Sequence, residues 1–291
     1  MIRLTVSNLS HKYGNVEALK NISFEVGEGL VGVLGPNGAG KSTAMKLITT
    51  LFEIQEGNIF LNDLDYKKDL KDVRKSMGYL PQDFSAYGNL TGREFLEVVA
   101  SLKLDWDKNK IKSHVDEIIE KLDMKGYVDR RFKQYSGGMK QKLGFAQVLI
   151  GNPKLIVVDE PTVGLDPEQR NVIRELFPVI SKNRIVLVTT HIVEDIEFYC
   201  NYLIVIKAGN VIYKGTKEQF ISEVEEIAWE ADMDSNNLSK VMEKGKIIRT
   251  IHQGDKYHIK YISQEPLTDN SVKASISLQD AYIIHSSINE R

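Results

Sequence analysis

The stretch Gly35-Pro36-Asn37-Gly38-Ala39-Gly40-Lys41-Ser42-Thr43 decides how the rest of this chain is read. An apolar run over residues 30–34 precedes it and reads as a buried strand. Residues 44–51 follow and read as a helix. Strand, glycine-rich turn and helix in that order are the setting in which G-x-x-x-x-G-K-[ST] cradles phosphate. The glycines at 35, 38 and 40 let the backbone turn tightly and approach a ligand without a Cβ clash. The loop N–H groups then converge at a helix N-terminus, where unpaired donors carry about half a positive charge. Lys41 adds a point charge for β- and γ-phosphates, and Ser42 offers a hydroxyl to Mg²⁺. These nine residues imply a nucleotide triphosphate site.

Composition narrows the classes around that site. A chain of 291 residues can bury one large core and a smaller one. A formal net charge of −2 argues against a nucleic-acid partner held by a general basic field. The one cysteine, Cys200, excludes an internal disulfide and points to a reducing compartment. No apolar run reaches the roughly 18 residues a membrane span needs, so any membrane must be crossed by another chain. Residues 1–14 alternate like a strand and are expected not to be a signal peptide.

Upstream of the loop, residues 2–9 and 20–26 alternate apolar and polar as half-buried antiparallel strands, with 11–15 as the turn between them. That places His11 in a solvated turn. Tyr13, in the same turn, either stacks on a nucleotide base or packs as an ordinary aromatic. Downstream, residues 57–61 and 76–80 read as short strands, and Gln82 stands just past the second. Thr91 and Glu94 spell a capping box. After it Phe95, Val98, Val99 and Leu102 recur at helical spacing, and Ile111, Val115, Ile118, Ile119 and Leu122 line a second helix. All of them, with Trp106 between, are expected to form the core of a helical insert.

Three further features bear polar chemistry. Ser136-Gly137-Gly138 precedes an amphipathic helix and forms a second N-terminus suited to an anion. The apolar run 155–158 ends in Asp159-Glu160, adjacent strand residues expected on opposite faces with different tasks. Asp159 can reach Mg²⁺ through water, and Glu160 can orient or deprotonate an attacking water, unless the pair merely caps a helix. Asp166 precedes a helix and reads on its own as an N-cap. His191 follows a buried strand over 185–189 and either bonds a terminal phosphate or is a surface imidazole. Residues 202–206 and 211–213 close this part as a hairpin.

The order of phosphate loop, Gln82, helical insert, Ser136-Gly137-Gly138, Asp159-Glu160, Asp166 and His191, over about residues 1–215, resembles the ATP-binding subunit of an ABC transporter. The resemblance implies an α/β P-loop NTPase core with an antiparallel β subdomain and a helical subdomain near residues 85–150. On this reading residues 1–218 form the ATP-binding domain. It implies two subunits, a homodimer or a paralogous pair, closing head-to-tail over two ATP. It implies Tyr13 on adenine, residues 35–43 on the phosphates, and Ser42, Gln82 and Asp159 at Mg²⁺. Glu160 is then the general base, His191 braces the γ-phosphate, and Ser136, Gly137 and Gly138 cap the partner subunit's ATP. Asp166 lies at the dimer junction. Tyr135 and Met139 depart from the common Leu-Ser-Gly-Gly-Gln signature. Together with residues 88–95 they resemble the drug and antimicrobial-peptide export branch.

That family setting implies transmembrane permease subunits as partners, no nucleic acid, and a place on the inner face of the cell membrane. A soluble ABC ATPase acting on ribosomes or DNA is the alternative. It is disfavoured by the single cassette and compact insert, as a regulator without turnover is by the intact Glu160. Residues 219–291 read as a small α+β appendage, with strands at 247–251 and 257–262 about a Gly254-Asp255 turn and a helix at 277–287. Trp229, His252, His258 and His285 are read as structural. The tail's 277–282 stretch resembles tails of the same export branch.

Overall fold

The computed structural model describes residues 1–254 and 256–288, and it divides into two compact units, Met1–Lys214 and Gly215–Arg291. The expected turn residue Asp255 lies outside the described residues. In the first unit the chain runs β1 (Arg3–Tyr13), β2 (Val16–Gly27), β3 (Gly29–Leu34), α1 (Lys41–Ile48), β4 (Glu56–Leu61), β5 (Leu64–Asp65), α2 (Leu70–Lys75) and β6 (Met77–Leu80). It continues through α3 (Gly92–Lys103), α4 (Lys108–Lys121), α5 (Gly137–Val148), β7 (Leu155–Asp159), α6 (Pro167–Ser181), β8 (Ile185–Thr190), β9 (Tyr202–Lys207) and β10 (Asn210–Thr216).

A six-stranded sheet, in the order β10-β9-β3-β8-β7-β6, carries the site. Its central pairs are parallel, and these strands are almost wholly buried, which is why they read as unbroken apolar runs. The register sets Asp159 beside Thr189, Thr189 beside Val33 and Thr190 beside Leu34. The carboxyl ends of β3, β7 and β8 therefore meet at one crevice, where ligands bind in open α/β sheets. A second sheet, β2-β1-β4-β5, is antiparallel throughout its pairs.

Two expectations fail in this unit. The first hairpin is longer than alternation indicated: pairing continues through His11 with Leu19 and Tyr13 with Val16. Only Gly14 and Asn15 make the turn, Gly14 taking a left-handed φ of 56°. His11 is thus a buried strand residue, 7% exposed, and not a solvated turn residue. Register shifts between Val6 and His11 break the alternation that would have revealed this.

The second failure is the face of α3. Its capping box is formed in both directions, Thr91 with Glu94. The buried stripe, however, is Gly92, Leu96 and Ala100, while Val98 is exposed and Leu102 is 83% exposed. Gly92 lies so close to the Tyr135 hydroxyl that no side chain would fit, so close approach selected the small residues. Phe95 is half-buried, edge-on to Phe84 at 5.9 Å. In α4 the expected stripe of Ile111, Val115, Ile118 and Ile119 is buried, with Leu122 behind it. Trp106 is half-buried under Lys110, 4.2 Å from the ring centre.

The second unit holds α7 (Lys217–Glu225), β11 (Ala228–Met233), α8 (Ser235–Lys244), β12 (Lys246–Gln253), β13 (Lys256–Ile262), β14 (Val272–Lys273) and α9 (Leu278–Ile288). Its sheet order is β12-β13-β11-β14, and its core is Ala231, Met233, Val241, Ile259 and Tyr261. The pattern did not foretell β11 or α8. The first mixes acidic and apolar residues, and the second is rich in Asn and Ser, which favour caps over helix interiors. Packing of α8 on β11, β12 and β13 supplies what propensity does not. Trp229 donates to the Ser263 carbonyl, His258 pairs with Asp232 and His285 stacks on Phe220 at 4.1 Å.

Candidate nucleotide site

A cavity of about 500 Å³ opens at the carboxyl end of the parallel strands. Tyr13, residues 36–43, Gln82, Glu160 and His191 line it, with Ala18 and Val163. Residues distant in sequence thus meet there because β1, β3, β6, β7 and β8 end around one crevice. Gly40 takes a φ of 108°, and a Cβ there would lie 2.7 Å from the Ala18 carbonyl oxygen. The tight turn is therefore open to glycine alone, and α1 starts at Lys41, three residues earlier than the apolar pattern suggested. It ends at Ile48, and Thr50 has a left-handed φ of 61°.

Lys41 is buried at the cavity floor. Its ammonium donates to the carbonyls of Gly35 at 2.7 Å and Pro36 at 3.2 Å and lies 3.8 Å from Glu160 Oε1. Burial pulls its pKa below the usual lysine value, against the opposing pull of Glu160 and Asp159. Gly35 contributes this carbonyl without lining the cavity.

The two carboxylates are divided differently from the expectation of opposite strand faces. β7 ends at Asp159, and Glu160 takes a left-handed φ of 48°, uncommon for a residue with a side chain. Its N–H donates to the Thr189 carbonyl and hydroxyl, each at 3.1 Å, which fixes that conformation. Its carboxylate then sits between Lys41 and His191 Nδ1, 2.8 Å away. Asp159 accepts from the Thr189 hydroxyl and does not itself line the cavity. Burial pushes the Asp159 pKa up, Thr189 pulls it down and the Glu160 charge pushes it up again, leaving it above the ordinary range.

Ser136, Gly137, Gly138 and Asp166 stand outside this cavity. Ser136 caps α5, accepting from the Met139 N–H at 3.3 Å, and both Ser136 and Gly137 are exposed. Asp166 caps α6, accepting from the Gln169 N–H at 2.8 Å. The Gln169 side chain comes close to Gly137, where a Cβ would sit 3.1 Å from its Oε1. Cys200 is buried, with its Sγ accepting from the Gly32 N–H at 3.2 Å, and takes no part in the cavity.

Sequence reasoning missed a group behind the cavity. Asp195, 1% exposed, accepts from the Thr162 hydroxyl and pairs with Arg174 at 2.6 Å. It ties the segment after His191 to the loop after Glu160 and to α6. A lone acid two turns past a strand end gives no signal of this in sequence. Thr189, which serves both carboxylates, was equally silent.

A parallel sheet with a phosphate loop, a buried lysine and a glutamate–histidine pair at its carboxyl end defines a P-loop nucleotide-hydrolysing protein. The ABC transporter family profile matches residues 19–163. The chain is 36% identical over 217 residues to the uncharacterised ABC transporter ATP-binding protein YxlF of Bacillus subtilis, covering 74% of this chain and 72% of that one. It is 32% identical over 229 residues to the linearmycin resistance ATP-binding protein LnrL of the same organism, covering 76% and 71%. A solved dimeric ATP-binding cassette in a post-hydrolysis state with ADP and Pi matches with a TM-score of 0.60 at 26% identity, over 73% of this chain and 98% of that one. The chain belongs to the ABC transporter family as an ATP-binding subunit, and it is an ATPase. Among the described residues no helix is long and apolar enough to cross a membrane.

Proposed function

We propose that the chain energises export through separate transmembrane permease subunits, closing with a second cassette over two ATP and opening on hydrolysis. The observation that carries this reading is the split of the site. One chain supplies the phosphate loop, Glu160 and His191 to a cavity, while its exposed Ser136 and Gly137 at the start of α5 remain outside it. The anion shell is then completed only when a second subunit, a copy of this chain or a paralogue, presents Ser136, Gly137 and Gly138 to the γ-phosphate. Closure depends on ATP for that reason, and loss of the γ-phosphate releases it.

Within the cavity Tyr13 stacks on adenine, and the amides of residues 35–43 with Lys41 hold the phosphates. Glu160, oriented by Thr189 and paired with His191, takes the proton of the attacking water, and His191 braces the γ-phosphate. The Ser42 hydroxyl and the Gln82 amide oxygen are hard oxygen donors that suit Mg²⁺, with Asp159 reaching it through water. When bound, that ion neutralises charge on the phosphate oxygens. Asp166 sits at the dimer junction, where it couples the two sites. Residues 1–218 serve as the ATP-binding domain and 219–291 as an accessory domain.

Relatives named for linearmycin resistance and daunorubicin resistance support a drug or antibiotic cargo. The exposed Tyr87, Val98 and Leu102 of the helical insert suit docking of a permease's cytoplasmic segment, which would hold the chain on the inner membrane face. Glu160→Gln tests the core of the proposal: ATP binding persists, turnover falls about a hundred- to a thousandfold, and an ATP-locked dimer elutes on size exclusion. Near-normal turnover, or a monomer at saturating ATP, refutes it. Co-purification with ribosomes or DNA in place of a membrane protein refutes the transport assignment.

A further inference from the structure

Behind Tyr13 lies a cluster of rings that the nucleotide chemistry does not use. The rings of His11 and Tyr13, two apart on β1, meet across a register shift between His11 and Lys12. The His11 ring stacks on Phe52 with centres 5.4 Å apart and planes 9° from parallel. Tyr13 meets both rings edge-on, at 4.9 Å from His11 and 6.0 Å from Phe52, each near 76°. Phe52 follows the phosphate-loop helix α1 and packs on the main core, with the Lys46 ammonium 5.2 Å from its ring centre. At its far end Tyr13 shares a hydrogen bond of 3.3 Å with the Thr43 hydroxyl.

His11 enters the cluster through its ring rather than through a hydrogen bond. His11 is buried, and its Nδ1 has no hydrogen-bond partner among the described residues. Tyr13 itself is 46% exposed at the end of a hairpin, where an unsupported side chain would sample several rotamers. Edge-to-face contacts fix ring orientation, and fixing a side chain before binding lowers the entropy lost when a ligand stacks on it.

We infer that His11 and Phe52 are positioning residues that hold the Tyr13 ring as a preformed platform for the nucleotide base and lock that platform to the phosphate-loop helix. The inference rests on the assignment of Tyr13 to the base. It makes affinity for the base, separately from affinity for the phosphates, a property of residues that touch neither.

The test compares ATP with inorganic tripolyphosphate, which has no base. His11→Ala raises KM for ATP about three- to tenfold, the loss expected for an aromatic pair. It leaves kcat within about twofold, and competitive inhibition by tripolyphosphate is unchanged. His11→Phe restores the ATP KM because the ring stack survives. Phe52→Leu, at a half-buried loop position, gives the same base-selective loss and serves where His11→Ala does not fold. Tyr13→Ala is the benchmark. If it raises KM while His11→Ala and Phe52→Leu do not, the platform inference is wrong and the base assignment stands. If Tyr13→Ala leaves KM unchanged, both fall. A loss shared equally by tripolyphosphate also overturns the inference, since it would mark general collapse of the loop.

Discussion

Each of the two units buries a carboxylate beside a lysine, and the two arrangements differ in how well their charges are met. At the nucleotide site Lys41 stands 3.8 Å from Glu160, with its pKa pulled down by burial, while burial holds Asp159 above the ordinary carboxylate range. In the C-terminal unit Asp280 is just as enclosed, and burial pushes its pKa up as well. There the Ser277 N–H and the Lys260 ammonium, each 3.2 Å away, outweigh burial and hold the carboxyl below its usual range. A reciprocal bond from the Asp280 N–H to the Ser277 hydroxyl closes the start of α9. The contrast teaches that burial of charge does not by itself mark chemistry. Charges that line an open cavity, as Lys41 and Glu160 do, are poised for a ligand, whereas charges enclosed with their donors hold an element in place.

The largest effect that could break this comparison is at Lys41. Lys41→Ala lowers ATP turnover about a hundredfold or more and weakens ATP binding with it, measured by steady-state ATPase and nucleotide titration. Unchanged activity would mean that the Lys41–Glu160 pair is structural after all. Lys260→Met should act in the opposite manner, leaving ATP affinity intact while stripping Asp280 of its cation. A stability loss of about 2 kcal/mol in chemical denaturation is expected, below the 3–5 of a fully enclosed pair because Lys260 keeps some solvent. A fall in turnover comparable with that of Lys41→Ala would erase the distinction.

The smallest effect concerns a third lysine, half-buried, which sharpens the comparison from outside both sites. Lys103 donates to the carbonyls of Met77 and Ile150, each at 2.7 Å, and burial pulls its pKa from 10.5 down to about 8. Between those values the unfolded chain holds a proton that the folded one has released, so stability rises as pH climbs from about 8 toward 10.5. Below about 8 the full cost of the buried charge is present. Lys103→Met should flatten this rise in melts taken across the range, and an undiminished slope would place its source elsewhere.

The legibility of these features in sequence follows from how local each one is. The phosphate loop, the Thr91 and Asp166 caps and the apolar central strands rest on spacing within one or two turns of chain, so they could be read directly. The buried face of α3 could not, because its apolar residues fit more than one stripe and packing against α4 and α5 chose between them. β11 and α8 lacked a pattern because their order comes from packing on each other. In the site, Glu160 and His191 could be named from their places at strand ends. Their direct pairing, the Thr189 bond that orients Glu160, and the tie from Thr162 to Asp195 depend on neighbours some thirty residues away.

By itself the chain implied an anion site at the turn between β3 and α1, since glycine spacing and one lysine at a helix start are local features. Only the tertiary structure decided which carboxylate lines the cavity and which rings stand behind Tyr13. Parallel strand register and the left-handed turn at Glu160 are set by contacts between distant segments, and no local spacing encodes them.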